Sequence, residues 1–243
     1  MTAWKRKAAN VLRRTALRLD PDSLWPSRLD RVCPVCGYHG PFKPMRRADA
    51  VCPDCGSAER HRLIKLVIDG EGLFAGKPRL LHVAPEPNVQ GMVEPLTSEY
   101  VTADLMRDDV DLQINIEDTG LPDGRFDAVV CSHALEHVDD DRKALRELFR
   151  ILTPGGEAIF MIPYCGVWER TYEDPAITDP KERAVHFLQF DHVRLHGRDF
   201  RDRVEAAGFE LTEIVPDGAE VARHARGLHA VAFVARRPVE PAA

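Results

Sequence analysis

The sequence predicts an α/β domain with a mostly parallel sheet, preceded by a small cysteine-rich module. From residue 79 onwards, short apolar segments alternate with segments of helical periodicity, as in proteins that pack helices against a parallel sheet. Residues 31–60 differ, because they are rich in Cys, Pro and Gly and hold too few apolar residues for a core of their own. A module of that composition needs a disulfide or a bound metal ion to stabilise it.

Seven strands and three helices are expected in the larger domain. The strands are "RLLHVA" (79–84), "EYVTAD" (99–104), "VDLQINI" (110–116), "FDAVVCSH" (126–133), "EAIFMIP" (157–163), "ELTEIVP" (210–216) and "LHAVAFVARR" (228–237). The helices are residues 61–74, 140–152 and 198–209. The second helix is amphipathic, and "TPGGE" stops it with a proline and two glycines.

Two close cysteine pairs, "CPVCG" and "CPDCG", indicate a bound metal ion; together they form the pattern C-x2-C-x15-C-x2-C. Each C-x2-C turn lets two thiolates reach one ion, and four thiolates complete a tetrahedral shell that suits zinc. We therefore expect a structural zinc ribbon in residues 31–60. The alternative is a redox pair or a chance set of thiols. The expected ligands are Cys33, Cys36, Cys52 and Cys55.

Charge is unevenly distributed along the chain. Residues 1–20 hold six basic residues and one acidic residue, Asp20, and so carry a charge of +5. Because the net charge of the whole chain is −6, the remaining residues carry −11. An acidic body argues against a broad nucleic-acid surface. Residues 1–30 are expected to form a basic amphipathic arm and a linker. Residues 1–20 could make weak membrane-surface contact, or form a solvated terminal helix.

The sequence shows neither a membrane span nor a secretory signal. Its apolar runs all fall short of the ~20 residues that a membrane helix needs. The first 20 residues also lack the continuous apolar core of a signal peptide. A cytoplasmic protein is therefore expected.

Asp104 is the first candidate ligand-binding residue. It ends the second expected strand, 20 residues after Ala84. Open α/β sheets bind ligands beyond the carboxyl ends of their strands, and an acid at this place commonly accepts hydrogen bonds from ribose hydroxyls. A lone aspartate at a strand end can equally be a cap.

Residues 114–164 give more specific information about the protein family than Asp104 does. Their acidic loop before "LP", the "FD" that opens a strand, the "LEH" turn and the helix ending in "PGG" closely resemble class I S-adenosylmethionine-dependent methyltransferases of the small-molecule, type 11-like branch. The motifs "LLHVAPEP", "TADL", "TYEDPAITDPKER" and "DHVRLHGRDF" extend the resemblance, to a subgroup with an N-terminal zinc ribbon. The resemblance runs from residue 33 to about 235.

The resemblance implies a Rossmann-like, seven-stranded, mostly parallel sheet with helices on both faces. It places the methyltransferase domain at 61–237, with a substrate-lid insertion at 164–197 and a tail at 238–243. It implies S-adenosylmethionine as cofactor, with Asp104 as the ribose-binding acid. The cofactor-binding residues implied are Ala84, Pro85, Glu86, Asp104, Glu117, Asp118, Cys131, Ser132 and His133. Glu136 and His137, in the "LEH" turn, are expected to pack or cap.

The loop "HVAPEP" departs from the family, whose usual loop has glycines because bare backbone approaches the cofactor there. Two hypotheses follow. Either prolines fix a different rigid turn, Ala84 provides the close approach and Glu86 pairs with the cofactor's ammonium group, or the site no longer binds cofactor. The remaining cofactor residues favour the first hypothesis.

The expected reaction is methyl transfer to oxygen or nitrogen of a small-molecule, glycan or lipid-linked acceptor, for which a general base is useful. Candidate bases are His133, His186, Asp191 and His192. The aromatic residues of 164–197 could line an acceptor pocket or simply pack the insertion. Other hypotheses are an RNA methyltransferase, a non-catalytic binding module and a dinucleotide-dependent oxidoreductase. The sequence lacks the G-x-G-x-x-G motif expected of the last of these.

Overall fold

The computed structural model describes residues 31–45, 50–224 and 231–239. The predicted N-terminal arm and linker, and most of the predicted tail, lie outside these ranges. Within them, no helix combines the length and the apolar character required to cross a membrane.

The described chain forms two compact units. Residues up to 62 together with 217–224 form the cysteine unit, and residues 63–216 together with 231–239 form the sheet unit. The range 61–237, predicted as one domain, is therefore interrupted by residues 217–224. The sequence alone did not predict that this short segment belongs with the cysteines.

The described residues contain the following elements. The strands are β1 (Arg31–Val32), β2 (His39–Gly40), β3 (Arg79–Val83), β4 (Glu99–Asp104), β5 (Leu112–Gln113), β6 (Phe126–Ser132), β7 (Leu152–Met161), β8 (Tyr172–Glu173), β9 (Arg194–Leu195), β10 (Glu210–Ile214) and β11 (Ala232–Arg236). The helices are α1 (Glu59–Glu71), α2 (Pro87–Val93), α3 (Asp141–Ile151), α4 (Pro180–His186), α5 (Phe200–Ala206) and α6 (Gly218–His224), with a short 3₁₀ turn at Glu94–Leu96.

The cysteine unit is organised around the buried side chain of Arg62, near the start of α1. Its Nη1 donates to the carbonyl oxygens of Ser57 at 2.6 Å and Ala50 at 3.3 Å, and its Nε donates to that of His224 at 2.8 Å. The guanidinium also lies 4.6 Å from the centroid of the Phe42 ring. Arg62 thus connects α1, the second cysteine turn and the end of α6 within this unit.

The sheet unit contains the predicted seven-stranded sheet, in the order β10-β11-β7-β6-β3-β4-β5. The strands β7, β6, β3, β4 and β5 run parallel, and β11 pairs antiparallel with both β7 and β10. The predicted fold class is confirmed. The carboxyl ends of β3, β4 and β6 meet at one edge, which is where a doubly wound sheet binds its ligands.

Helix α3 shows how the sequence places the core against the sheet. The Asp140 side chain caps its first turn by accepting from the backbone N–H of Lys143 at 3.0 Å. Leu145, Leu148 and Ile151 on its apolar face are completely buried. The helix spans 141–151, close to the predicted 140–152. Strand β5 is shorter than predicted, and the short helices α2, α4 and α6 were not predicted.

A buried ion-pair network joins α3, the insertion and α5. Arg203 Nη1 donates to Asp141 Oδ2 at 2.8 Å, and Arg203 Nη2 to Glu173 Oε1 at 2.8 Å. Arg194 Nε donates to Glu173 Oε2 at 2.9 Å, and His196 Nε2 lies 3.1 Å from Asp141 Oδ2. Burial opposes the charged form of Asp141, yet the His196 hydrogen bond and the two arginine charges lower its pKa to about 2.

Asp141→Asn is expected to lower the free energy of unfolding at pH 7 by about 3 kcal/mol, because it leaves buried arginine charge without its partner. Since the pKa of Asp141 falls from its ordinary 3.8 to about 2, its charge stabilises the fold fully above about pH 4. This contribution is lost as the pH falls towards 2. Urea unfolding of both proteins across this range measures the difference.

Asp123→Asn is the matched control, because Asp123 pairs with Arg150 at the surface and its side chain is 79% exposed. It is expected to cost less than about 1 kcal/mol. Equal losses in the two variants would contradict the structural role assigned to Asp141.

Candidate active site and metal centre

A cavity of about 590 Å³ lies at the carboxyl ends of β3, β4 and β6. Ala84, Asp104 and His133, which follow or end these strands, contribute to its wall. The segment Asn115–Glu117 and, from the insertion, Phe190 and Asp191 also line it. A volume of this size lies within the roughly 300–1,000 Å³ of small-molecule and cofactor sites.

The glycine-free loop after β3 approaches the cavity through Ala84. This residue has φ of 51°, in the left-handed region where glycine is usual, and its N–H donates to the carbonyl of Ala103 at 2.8 Å. Alanine is the smallest side chain that could replace glycine there. The backbone of this loop therefore reaches the cavity without the glycines.

The rest of the loop is fixed by hydrogen bonds and contributes no side chain to the cavity wall. The carbonyl of Pro85 accepts from Arg107 Nη1 at 2.8 Å. Glu86 precedes α2, and its Oε1 accepts from Ser132 Oγ at 3.4 Å. Pro87 occupies the first turn of α2, where its missing N–H costs nothing.

Asp104 uses its two carboxylate oxygens differently. Oδ1 accepts from the backbone N–H groups of Met106 at 2.8 Å and Arg107 at 3.0 Å, so this oxygen does cap a turn. Oδ2 accepts no hydrogen bond from the described residues. The turn holds the carboxylate in place at the cavity wall and leaves one oxygen for a ligand.

Of the two acidic residues in the loop after β5, Glu117 lines the cavity and Asp118 does not. Glu117 lines the cavity, and its Oε1 accepts from the N–H of Asp140 at 2.8 Å. Asp118 is exposed and lies outside the wall, with its N–H donating to the carbonyl of Asn115. Asn115, whose side chain accepts from the N–H of Glu117 at 2.9 Å, lines the cavity and was not predicted.

The three residues predicted at the end of β6 separate in the structure. Cys131 lies in the hydrophobic core, and burial raises the pKa of its thiol. Ser132 is buried and donates to Glu86. Only His133 lines the cavity, with φ of 54° and its side chain 37% exposed. His133 Nδ1 lies 3.0 Å from Glu136 Oε1.

Glu136 is completely buried, and its Oε2 has no hydrogen-bond partner among the described residues. Burial opposes its ionisation, but the His133 hydrogen bond and the charges of His133 and His137 hold the pKa of Glu136 below its ordinary value. His137 lines the cavity. The predicted packing role of the "LEH" turn does not account for a buried carboxylate oxygen without a partner.

The other predicted bases come from the insertion. His192 is buried outside the cavity wall, its Nδ1 is 2.9 Å from the carbonyl of Phe187, and burial lowers its pKa. Asp191 lines the cavity and its Oδ1 accepts from Gln189. His186 is exposed and bonds the hydroxyl of Tyr172 at 2.7 Å.

The four predicted metal ligands converge in the cysteine unit, with all their sulfur atoms within 4.8 Å of one another. The Sγ atoms of Cys33 and Cys55 are 3.7 Å apart, as are those of Cys36 and Cys52. A regular tetrahedron with Zn–S bonds of about 2.3 Å separates its sulfurs by about 3.8 Å. The donor set and its spacing therefore fit zinc.

Residues 89–160 match a family model described as a methyltransferase domain. This part of the sheet unit is similar to methyltransferase domains. The first curated relative, the ubiquinone/menaquinone biosynthesis C-methyltransferase UbiE of Pasteurella multocida, is 35% identical over 80 residues, which is 33% of this chain and 26% of that protein. The chain thus spans about a quarter of that relative's length.

Solved structures share the fold of this chain. The YcgJ protein from Bacillus subtilis has a TM-score of 0.53 and 17% identity, and the match covers 74% of this chain and 100% of that one. The 1,6-didemethyltoxoflavin-N1-methyltransferase of Burkholderia thailandensis, solved with S-adenosylhomocysteine, has a TM-score of 0.50 and 15% identity over 74% of this chain and 78% of that one.

Proposed function

We propose that this chain is an S-adenosylmethionine-dependent methyltransferase that acts on oxygen or nitrogen of a small-molecule, glycan or lipid-linked acceptor. The observation that carries the proposal is that Asp104 and His133 line one cavity. One oxygen of the Asp104 carboxylate caps a turn, and the other accepts no hydrogen bond from the described residues. His133 is hydrogen-bonded to the buried carboxylate of Glu136.

The cofactor side would be formed by residues from three strand ends. Asp104 Oδ2 would accept hydrogen bonds from ribose hydroxyls, and Asn115 and Glu117 would lie beside adenine. Ala84 would let the backbone approach closely. When bound, S-adenosylmethionine supplies an electrophilic methyl group on its sulfonium.

The acceptor side would use His133 as the base. Its Nδ1–H donates to Glu136 Oε1, which leaves the lone pair on Nε2 to take a proton from the acceptor. Asp191 contributes to the same wall. The buried position of His192, outside this wall, argues against the predicted alternative in which His192 is the base.

Both predicted roles of the aromatic insertion find support, in different residues. Tyr172 and Phe187 pack against each other, with ring centroids 5.4 Å apart. Phe190 instead lines the cavity and is 62% exposed. We assign the acceptor contact to Phe190 and the packing role to the other two.

A carbon acceptor is the second candidate, because curated relatives are named C-methyltransferases. The two candidates differ in their need for a base. Transfer to a hydroxyl or amine requires a proton to leave the acceptor heteroatom, which the His133–Glu136 pair would serve. The position of the methyl group in the product distinguishes them.

We also propose that Cys33, Cys36, Cys52 and Cys55 hold a structural zinc ion. Four thiolates leave no open coordination position, so the ion would brace the cysteine unit rather than act on a substrate. Among the described residues, the unit has a small apolar cluster of Cys33, Phe42 and Cys52, which is consistent with dependence on a metal.

Asp104→Asn is expected to weaken S-adenosylmethionine binding by about 1–3 kcal/mol, or about 5- to 150-fold, through loss of charge-assisted hydrogen bonds. Asparagine retains an oxygen for the turn that Oδ1 caps, so the fold should be preserved. Isothermal titration calorimetry with S-adenosylmethionine and with its demethylated product measures the affinity.

Asp109→Asn is the matched control, because it removes an exposed acid that pairs with Arg107 outside the cavity wall. It should bind the cofactor like the wild type. Absence of binding to the wild type would reject the enzyme and favour a non-catalytic binding module.

Cys52→Ser is expected to lower the zinc content by one ion per chain and to destabilise the cysteine unit. Cys52 is almost completely buried, and serine is a poor replacement for a thiolate ligand. Elemental analysis of the purified protein measures the content. Cys165→Ser, outside the four-cysteine cluster, should retain the ion, and unchanged zinc in Cys52→Ser would contradict the proposed site.

A further inference from the structure

Three side chains from two distant segments meet beside the cavity: Glu136, His137 and His192. Each has a potential metal-ligating atom, and these atoms all lie within 4.8 Å of one another. Small side-chain rotations would bring them to the ~2.0–2.2 Å ligand distances of a first-row metal ion. None of the three belongs to the cysteine cluster.

The two carboxylate oxygens of Glu136 differ in their hydrogen bonding. Oε1 is 3.0 Å from His133 Nδ1, whereas the buried Oε2 has no partner in the part of the chain that the structure describes. Leaving a buried acceptor unpaired costs about 1–3 kcal/mol, and more when the group is charged. An ion bound at Oε2 removes that cost.

In both histidines Nδ1 lies close to a backbone carbonyl, which leaves Nε2 of the neutral ring for a metal ion. Nδ1 of His192 is 2.9 Å from the carbonyl of Phe187, and Nδ1 of His137 is 3.3 Å from the carbonyl of Asp191. A carbonyl only accepts hydrogen bonds, so each Nδ1 carries the proton and each Nε2 keeps its lone pair. Ligating histidines typically donate their other N–H in this way.

The two segments are also fixed to each other. The N–H of Val193 donates to the carbonyl of Glu136 at 2.9 Å. Arg194 donates to the carbonyls of Leu135 at 2.9 Å, of Val138 at 2.5 Å and of Asp139 at 2.8 Å. The turn that carries Glu136 and His137 is thereby held against the segment that carries His192.

We propose that Glu136, His137 and His192 bind a divalent first-row metal ion at the wall of the cavity. Two imidazoles and one carboxylate leave coordination positions open, unlike the four thiolates of the cysteine unit. His137 lines the cavity, which places these positions within reach of an acceptor.

If the proposed methyl transfer is correct, the open coordination positions favour an acceptor that carries a hydroxyl group. A metal-bound hydroxyl loses its proton more easily, and His133 Nε2 takes that proton. The oxygen then forms the new bond to the methyl carbon as the carbon–sulfur bond breaks, with its electron pair remaining on sulfur. The product is an O-methyl ether.

The test counts metal ions in full-length protein purified with zinc and dialysed against Mn²⁺. The wild type is expected to hold one ion more per chain than either His192→Gln or His137→Gln, whether that ion is zinc or manganese. In a Mn²⁺ titration, each variant should bind at least about tenfold more weakly. Two variants are used because His192 is buried, and far-UV circular dichroism confirms that each is folded.

His186→Gln is the matched control, since His186 belongs to the same insertion but is exposed and bonded to Tyr172. It should keep the full metal content. Equal metal content in the wild type and in both folded variants would overturn the site.

Calorimetry with S-adenosylmethionine on the same samples separates the two proposals. His192→Gln should bind the cofactor as tightly as the wild type, because His192 does not line the cavity. A wild type that binds the extra ion but no cofactor would support the metal site and overturn the proposed methyl transfer.

Discussion

The geometry of the candidate site depends on the buried guanidinium of Arg194. Its Nη atoms hold three carbonyl groups of the turn after β6, and its Nε donates to Glu173. An irregular turn would otherwise leave these carbonyls without partners. Because Arg203 and Asp141 join the same network, the turn, the insertion and α3 are fixed together. The candidate site residues of the turn and the insertion lie on this hydrogen-bonded network.

The features that could be predicted from the sequence are local. The apolar strand segments predict the sheet because burial on both faces leaves a continuous apolar run. The C-x2-C spacing predicts convergence of four thiolates because each pair closes within one turn. Asp104 and His133 could be placed at one edge for a similar reason, since the ends of parallel strands meet there.

The features that could not be predicted depend on contacts between distant segments. His192 lies 55 residues after His137 along the chain, and no spacing rule brings the two together. The same is true of α6, which joins the cysteine unit through the bond between Arg62 and His224. Cys131 and Asp118 were assigned by motif position, and a motif does not show which side chains of a strand or loop face the ligand.

Glu136 links the two chemical roles proposed for the site. One oxygen receives the His133 N–H, and the other is the oxygen that the metal ion would take. A change in the charge of this carboxylate would therefore alter both the basicity of His133 and the affinity for the ion. Replacing Glu136 would confound the two effects. His192 is a ligand of the proposed ion but takes no part in the His133–Glu136 hydrogen bond. Its replacement would therefore remove the ion and leave that hydrogen bond in place, which makes it the more informative residue to change.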